Sequence, residues 1–207
     1  MVDWVEVELK IAGTKEENEK LLLAQDYVLF YKRHIITNYY LPPEVDENSK
    51  GLKEKCVRLR KSIRLDKDGT DIDGVSIFNK KKEPSNRQNL KQEKQYLKAG
   101  YKHILTDDKY DWVFMHKNYN ENRIAFQLQD IKGIGLIVAY DNKNYYGKPH
   151  KEQTELLIKD ITNAGIKILS KTQVDRFKIV KDKNKILLNM KQIEQLFKQE
   201  IKANRGV

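Results

Sequence analysis

The chain has 207 residues, of which 39% are apolar and 34% charged, so it can form a sizeable core and is too rich in aromatic residues to be disordered. Cys56 is its only cysteine, which excludes an intrachain disulfide and favours a reducing, cytoplasmic location. The longest uncharged apolar run, residues 133–140, is too short to span a membrane, and the N-terminus lacks a signal-peptide pattern, so we expect no membrane partner.

The net charge of +10 is concentrated near the C-terminus. Residues 166–207 contain 11 Lys and Arg against 4 Asp and Glu, a surplus of +7. The rest of the chain is rich in charge of both signs, which weakens the interpretation that its main body binds nucleic acid. RNA binding through the basic C-terminal segment stays open as an alternative.

The first part of the chain combines predicted strands with one short helix. Apolar and charged residues alternate strictly over 4–11, which predicts a strand. Thr14 and Glu17 have the spacing of a capping box and predict a helix that ends near Ala24. Alternation and β-branched or aromatic content then predict strands at 27–40, 56–63 and 75–82.

The second part of the chain ends in helices. A helix is predicted at 90–99, a hairpin of strands at 112–119 and 123–130, a last strand at 135–141, and helices at 152–164 and 183–201. The last helix carries an apolar stripe of Ile186, Met190, Ile193, Phe197 and Ile201. The best domain boundary separates residues 1–149 from a helical C-terminal segment, 150–207, which we expect to pack on them.

Two of the predicted strands carry pairs of like charges two residues apart. Glu6 and Glu8 lie opposite the apolar residues of the first strand, and Arg58 and Arg60 do the same on a later one. Side chains at i and i+2 point the same way, about 7 Å apart at the backbone. Two such carboxylates repel each other unless a cation lies between them, whereas guanidinium groups match phosphate oxygens. Oxygen ligands of this kind suit Mg²⁺ or Mn²⁺.

A solvated outer face is the commoner explanation for a single strand of this kind. Two such strands, with Lys80 and Lys82 on a third, favour charged side chains on the inside of a sheet whose apolar faces are covered by helices.

Several motifs of the chain resemble those of the CYTH family, also called the triphosphate tunnel metalloenzymes. Residues 6–10 resemble its E-x-E-x-K signature, and residues 58–60 resemble its L-R-x-R strand. The resemblance continues in order through residues 38–43, residues 82–84, Arg87, Lys117 with Tyr119, and residues 128–135. It covers about residues 4–141 and implies an α+β fold: an antiparallel eight-stranded β-barrel, or tunnel, with helices packed outside.

The resemblance also implies roles for individual residues. The metal ion, Mg²⁺ or Mn²⁺, would be bound by Glu6 and Glu8, with Asp130 and Asp141 assisting. Lys10 together with the two glutamates would form the catalytic group. The triphosphate would be bound by the basic residues Lys10, Arg58, Arg60, Lys80, Lys82, Arg87 and Lys117.

The chain departs from the family pattern at several positions. Ala139 replaces an acid, Asp141 replaces a glutamate and Asn89 replaces another acid, and there are smaller departures at Asn38, Lys117 and Gln129. The resemblance implies metal-dependent hydrolysis of inorganic triphosphate, a nucleoside triphosphate or thiamine triphosphate. Two alternatives stay open: a class IV adenylate cyclase, and a catalytically weak triphosphate- or nucleotide-binding module, which Ala139 and Asn89 favour. The sequence also leaves open whether the chain forms a homodimer.

Overall fold

The computed structural model of the chain describes residues 5–65, 74–78, 89–118, 124–175, 177–178 and 186–204. Its strands are β1 (Val7–Lys10), β2 (Tyr27–Leu41), β3 (Val57–Leu65), β4 (Gly74–Phe78), β5 (Lys102–His116), β6 (Ile124–Ile131) and β7 (Gly135–Asn142). Its helices are α1 (Lys15–Leu23), α2 (Leu52–Lys55), α3 (Asn89–Lys98), α4 (His150–Asn163) and α5 (Met190–Asn204), with a 3₁₀ turn, η1, at Lys143–Tyr145. None of the described helices is long and apolar enough to cross a membrane.

The strands form one antiparallel sheet in the order β1-β7-β6-β5-β2-β3-β4. The α+β class is therefore confirmed, but the predicted closed barrel of eight strands is wrong for the described residues, in which seven strands form an open order with β1 and β4 at its edges. At the β1 edge, backbone hydrogen bonds are made by an irregular segment at 167–174 instead of another strand. Leu169 N donates to Lys10 O and Val174 N donates to Glu8 O, each at 2.9 Å.

The chain divides into two compact units, to which β2 and β5 both contribute. Unit 1 comprises Met1–Lys32 and Tyr110–Asp175, and unit 2 comprises Arg33–Lys109 and Arg176–Val207. Helix α4 therefore belongs to unit 1 and helix α5 to unit 2, whereas the sequence placed both in one C-terminal segment.

The core of unit 1 lies between one face of its strands and helix α4. Val7 and Leu9 from β1 and Tyr140 from β7 are buried there against Leu157 and Ile161 of α4. The two α4 residues are four positions apart and so lie on one side of the helix. Alternation in β1 thus directs its apolar residues to the helix and its charged residues to the other face of the sheet.

Unit 2 has its own core, which helix α5 closes. Met190, Ile193 and Phe197 pack on buried residues of β2 and β3, among them Ile36 and Leu59. These three belong to the apolar stripe that the sequence predicted. Helix α5 begins at Met190, so Ile186, the first residue of the predicted stripe, lies outside it and is mostly exposed.

Strand β5 is the largest difference between the predicted and observed elements. It begins at Lys102, ten residues before the predicted start at 112. The charged run from Asp107 to Asp111 conceals the strand in the sequence, because such residues are rare in sheet interiors. The end of the predicted strand at 75–82, residues 79–82, lies outside the described residues.

Candidate functional site

Strand alternation in unit 1 gives the sheet two chemically different faces. The face opposite the α4 core carries Glu8 of β1 and, on β7, its cross-strand partner Ala139 and then Asp141. Residues directly opposite on paired strands share a face, so Gln127 of β6, the partner of Ala139, joins them. We call this surface the charged face of unit 1.

Two predicted metal ligands are brought together around one tyrosine. The hydroxyl of Tyr146 donates a hydrogen bond to Asp141 Oδ2 at 2.9 Å. Burial raises the pKa of Tyr146 to about 12, with further contributions from this hydrogen bond and from the negative charges of Asp141 and Glu6. The hydroxyl therefore remains a donor at neutral pH, and Glu6 and Asp141 lie in the same electrostatic environment.

A cleft of about 660 Å³ opens on this face, with Asp141 and Tyr146 in its wall. Lys117, a predicted phosphate ligand from the end of β5, lines the same cleft. Apolar side chains, including Phe30 and Met115, form much of the remaining surface. The cleft therefore combines a carboxylate, an ammonium group and a hydroxyl donor with an apolar wall.

Lys117 is held in place by Asp26, which lies between helix α1 and strand β2. Its Nζ lies 2.9 Å from Asp26 Oδ1, and its backbone N donates to Asp26 O at 2.8 Å. The side chains of Lys117 and Asp26 are 56% and 67% exposed, so solvent screens the ion pair and it contributes little to stability. Lys117 can consequently exchange this partner for a phosphate oxygen at little cost.

The segment that follows α4 fixes the backbone of β1, a role that sequence analysis missed. Gln173 Oε1 accepts from Glu8 N at 2.7 Å, and Gln173 Nε2 donates to Glu6 O at 2.9 Å. The two contacts clamp the backbone between the predicted ligands. Only pairing between residues more than 160 positions apart reveals this clamp, and no local pattern signals it. Lys10, at the end of β1, has an exposed side chain.

Asp130 is not brought to this group. Leu128 lies in the α4 core, and Asp130, two residues further along β6, shares its side of the sheet by alternation. The buried residue on the charged face at this position is Gln129, which pairs with Ile137 of β7. The structure thus groups Asp141 with Glu6 and separates it from Asp130.

Unit 2 has a charged face of its own. Leu59 and Ile63 of β3 enter the core under α5, whereas Arg58 and Arg60 lie half-buried on the opposite face, as predicted from their alternation. Arg60 Nε donates to Thr37 Oγ1 at 3.0 Å.

Strand β5 adds two buried charges to unit 2 that the sequence did not identify. Asp107 and Lys109 are both 6% exposed. Thr106 shows which way these side chains point, because its hydroxyl donates to Asn38 on the core face of the sheet. Side chains alternate along a strand, so Asp107 and Lys109 both lie on the opposite face. Asp107 Oδ1 has no hydrogen-bond partner within the described residues, which a bound cation or donor would provide.

Three of the predicted phosphate ligands, Lys80, Lys82 and Arg87, lie outside the described residues.

The carboxylates of unit 1 would suit a divalent cation that is bound partly by the protein and partly by its substrate. The described residues contain no group of three or more His, Cys, Asp and Glu side chains that could hold a metal ion by themselves. Magnesium, however, is commonly bound through one or two carboxylates and the phosphates of its substrate. Glu6 and Asp141 provide that number of carboxylates, whereas the buried methyl group of Ala139 provides none.

Solved structures establish what the chain resembles as a whole, although it matches no family model and no curated protein. It is 16% identical to the PH1819 protein of Pyrococcus horikoshii OT3, with a TM-score of 0.53 over 82% of this chain and 95% of that one. A conserved hypothetical protein of Pyrococcus furiosus is 15% identical, with a TM-score of 0.52 over 85% of this chain and 100% of that one. HpAC1 of Hippeastrum, described as having a dominant triphosphatase activity, matches at 9% identity and a TM-score of 0.48 over 89% of this chain and 98% of that one. The chain therefore has the fold of the two archaeal proteins.

Proposed function

We propose that this chain binds a triphosphate-bearing small molecule together with Mg²⁺ or Mn²⁺ on the charged face of unit 1, and hydrolyses it. One observation carries the proposal: a cleft on the face opposite the core combines Asp141, Tyr146 and Lys117, with Glu6 close enough to influence the same tyrosine. Carboxylates for a cation and a lysine for phosphate are thus presented to one bound molecule.

Each residue has a distinct role in this proposal. Glu6 and Asp141, assisted by Glu8, would hold the cation, which when bound neutralises charge on the phosphate oxygens. Tyr146 orients the Asp141 carboxylate by its hydrogen bond. Lys117 leaves Asp26 to contact the phosphates, and a hydrogen bond to a charged group of this kind contributes about 1.5–3 kcal/mol.

Lys10, which shares its face of β1 with Glu8 by alternation, is proposed as a further phosphate contact in unit 1. The phosphate-binding roles of Arg58, Arg60, Lys80, Lys82 and Arg87 stay predictions from the family pattern. Cytoplasmic location and association as a homodimer likewise stay predictions.

A second candidate, a catalytically weak binding module, is favoured by one specific observation. Ala139 is fully buried between Glu8 and Gln127, at a position where the family pattern has an acid. With fewer carboxylates the site would hold the cation and the triphosphate without activating water efficiently. A class IV adenylate cyclase would use the same contacts and differ only in its product.

The three possibilities are separated by their products. The purified protein is incubated with tripolyphosphate, ATP or thiamine triphosphate, each with Mg²⁺ or Mn²⁺, while phosphate, pyrophosphate and cyclic AMP are followed. A hydrolase should release phosphate in a metal-dependent reaction. A cyclase should form pyrophosphate and cyclic AMP, and only when ATP is the substrate. No product but a metal-dependent rise in melting temperature identifies a binding module. Neither a product nor a rise with any triphosphate contradicts the proposal.

A further inference from the structure

A second pocket of unit 1 lies on the core side of the sheet, away from the charged face. It has a volume of about 360 Å³, and aromatic and polar side chains line it, including Tyr27, Tyr140, Tyr145, Asn144 and Asp160. These residues come from β2, β7, the η1 turn and helix α4. We call it the tyrosine pocket.

Among the described residues that line this pocket Asp160 is the only charged one, and one of its two oxygens accepts the hydrogen bonds that its carboxylate makes with them. Oδ2 accepts from the hydroxyls of Tyr145 at 2.8 Å and Tyr140 at 3.0 Å, and from Asn142 Nδ2 at 3.3 Å. Within the described residues Oδ1 accepts no hydrogen bond, and no Lys or Arg forms an ion pair with the carboxylate. In a chain with 40 Lys and Arg, a half-buried carboxylate without a cationic partner is a specific feature.

The tyrosines keep this carboxylate oriented and do not neutralise it. Burial raises the pKa of Tyr145 to about 12, and its hydrogen bond to Asp160 contributes. Burial also raises the pKa of Tyr140, with the charge of Asp160 adding to the effect. Both hydroxyls thus stay protonated donors at neutral pH, so the negative charge remains in the pocket.

Aromatic rings form the apolar wall beside this charge. Phe126 and Tyr140 are stacked with centroids 4.2 Å apart, and Tyr27 meets the Phe126 ring edge-on at 5.1 Å. The faces of such rings attract cations, most strongly where water is excluded. One carboxylate is too few for a metal ion that needs many oxygen ligands, whereas aromatic walls suit the alkyl part of an organic cation.

We infer that the tyrosine pocket binds an alkylammonium group, the charged end of a small amine or of a lysine side chain. The ammonium N–H groups would donate to the open Oδ1 of Asp160 and to amide oxygens of the lining, and the alkyl chain would lie against the tyrosine rings. The inference does not depend on the proposed function, because it uses the other side of the sheet and shares no residue with the charged face.

Calorimetric titration with putrescine tests the inference, with the neutral diol of the same length as a control ligand. Saturable binding of putrescine and none of the diol is expected. Asp160→Asn should weaken putrescine binding roughly tenfold or more, since it removes a charge-assisted contact and keeps the shape. Glu155→Gln, which removes an exposed carboxylate from the same helix, should leave binding unchanged. A lysine amide with a blocked α-amine, titrated in parallel, shows which source of the ammonium group binds more tightly.

A second variant tests the inference even if Asp160→Asn does not fold. Asn144 is exposed at the rim, so Asn144→Arg brings a cation to the pocket without touching the core, and it should abolish putrescine binding. No saturable binding of either amine to the wild type would overturn the inference. Binding that is equally strong in Asp160→Asn, or unaffected by Asn144→Arg, or matched by the diol, would overturn it as well.

Discussion

At the scale of single residues, the proposed site depends on carboxylates of the charged face, which would hold a cation beside the phosphates. Replacing Glu6 or Glu8 by Gln removes one negative charge and keeps the shape of the side chain. We expect metal-dependent phosphate release to be abolished, whereas the free energy of unfolding should change by no more than about 0.5 kcal/mol, as for other substitutions outside the core. Steady-state assays and urea unfolding of each variant, with Glu155→Gln as the matched control, measure both effects. Full metal-dependent activity in one of these variants would contradict the proposed role of the glutamate that it replaces.

Tyr146 acts through Asp141, so its effect should be seen in metal affinity. Tyr146→Phe deletes the hydroxyl that orients the carboxylate and leaves the ring in the cleft wall. Loss of such an orienting contact typically costs 10- to 100-fold in metal affinity, by analogy with residues behind other metal ligands. The Mn²⁺ concentration for half-maximal activity should therefore rise by about that factor. An unchanged Mn²⁺ dependence with a lower melting temperature would show instead that the hydroxyl is merely structural.

Some residues of the candidate site could be predicted from the sequence and others could not. The alternation of Glu6, Glu8, Arg58 and Arg60 with apolar residues correctly predicted which strand faces are charged, because side-chain direction in a strand is a local property. Gln173 could not be predicted, since it meets β1 across more than 160 positions. Tyr146 lies only five residues beyond Asp141, but the 3₁₀ turn that brings the two together was not predicted. Asp130 was grouped with Asp141 from the family pattern, but the register of β6 with β7 decides its face.

At the scale of elements, helix α1 is the best defined by local chemistry. Thr14 Oγ1 accepts from Glu17 N at 3.2 Å, and the Glu17 carboxylate accepts from Thr14 N at 2.7 Å, which completes the predicted capping box. Thr14→Ala should destabilise the protein by about 1 kcal/mol, because an N-terminal donor of the helix loses its acceptor. Thr14→Ser keeps the hydroxyl and should keep most of the stability in urea unfolding. Equal losses in both variants would attribute the effect to the lost methyl group.

Helix α5 is tied to unit 2 by a histidine whose charge should make stability depend on pH. His34 Nδ1 lies 2.6 Å from Glu200 Oε2 of α5, and His34 Nε2 lies 2.7 Å from Asp108 Oδ1 of β5. Burial works to lower the pKa of His34, but the two carboxylates outweigh it and raise the pKa above the usual 6.5.

The direction of the pH effect follows from the raised pKa. A histidine with a raised folded-state pKa stabilises the protein fully below its unfolded value and loses that contribution as pH rises through the folded value. In the wild type the free energy of unfolding should therefore fall as the pH rises above about 6.5, the usual pKa of histidine, and it should fall less in His34→Gln. If the free energy of unfolding depended on pH in the same way in both proteins, the stabilising role of the His34 ion pairs would be contradicted.

Helices and strands could be predicted where apolar residues recur at regular spacing. They were missed where charged residues interrupt that spacing. Helix α4 and the stripe of α5 follow from helical spacing, and β1, β2, β3 and β7 follow from alternation or β-branched content. The first half of β5 was missed because Asp107 and Lys109 are buried charges, which no propensity rule assigns to a strand.

At the scale of the whole molecule, the family resemblance predicted the α+β fold and overestimated the sheet. The seven described strands leave β1 as an edge, and residues 167–174 satisfy its backbone by irregular hydrogen bonds. These residues belong to the part of the chain beyond the family motifs, so their pairing with β1 had no signal in the sequence. Covering an exposed edge in this way also protects it from pairing with another chain.

The central claim, that the charged face holds a triphosphate with a divalent cation, is tested most directly by melting the protein with tripolyphosphate and Mn²⁺ together and singly. A ligand that binds only the folded chain adds about 2.7 kcal/mol of stability at a hundred times its Kd. We predict a clear rise in melting temperature that requires both components in the wild type, persists in Glu155→Gln and is lost in Asp141→Asn. An equal rise in Asp141→Asn, or none in the wild type with tripolyphosphate, ATP or thiamine triphosphate, would contradict the claim.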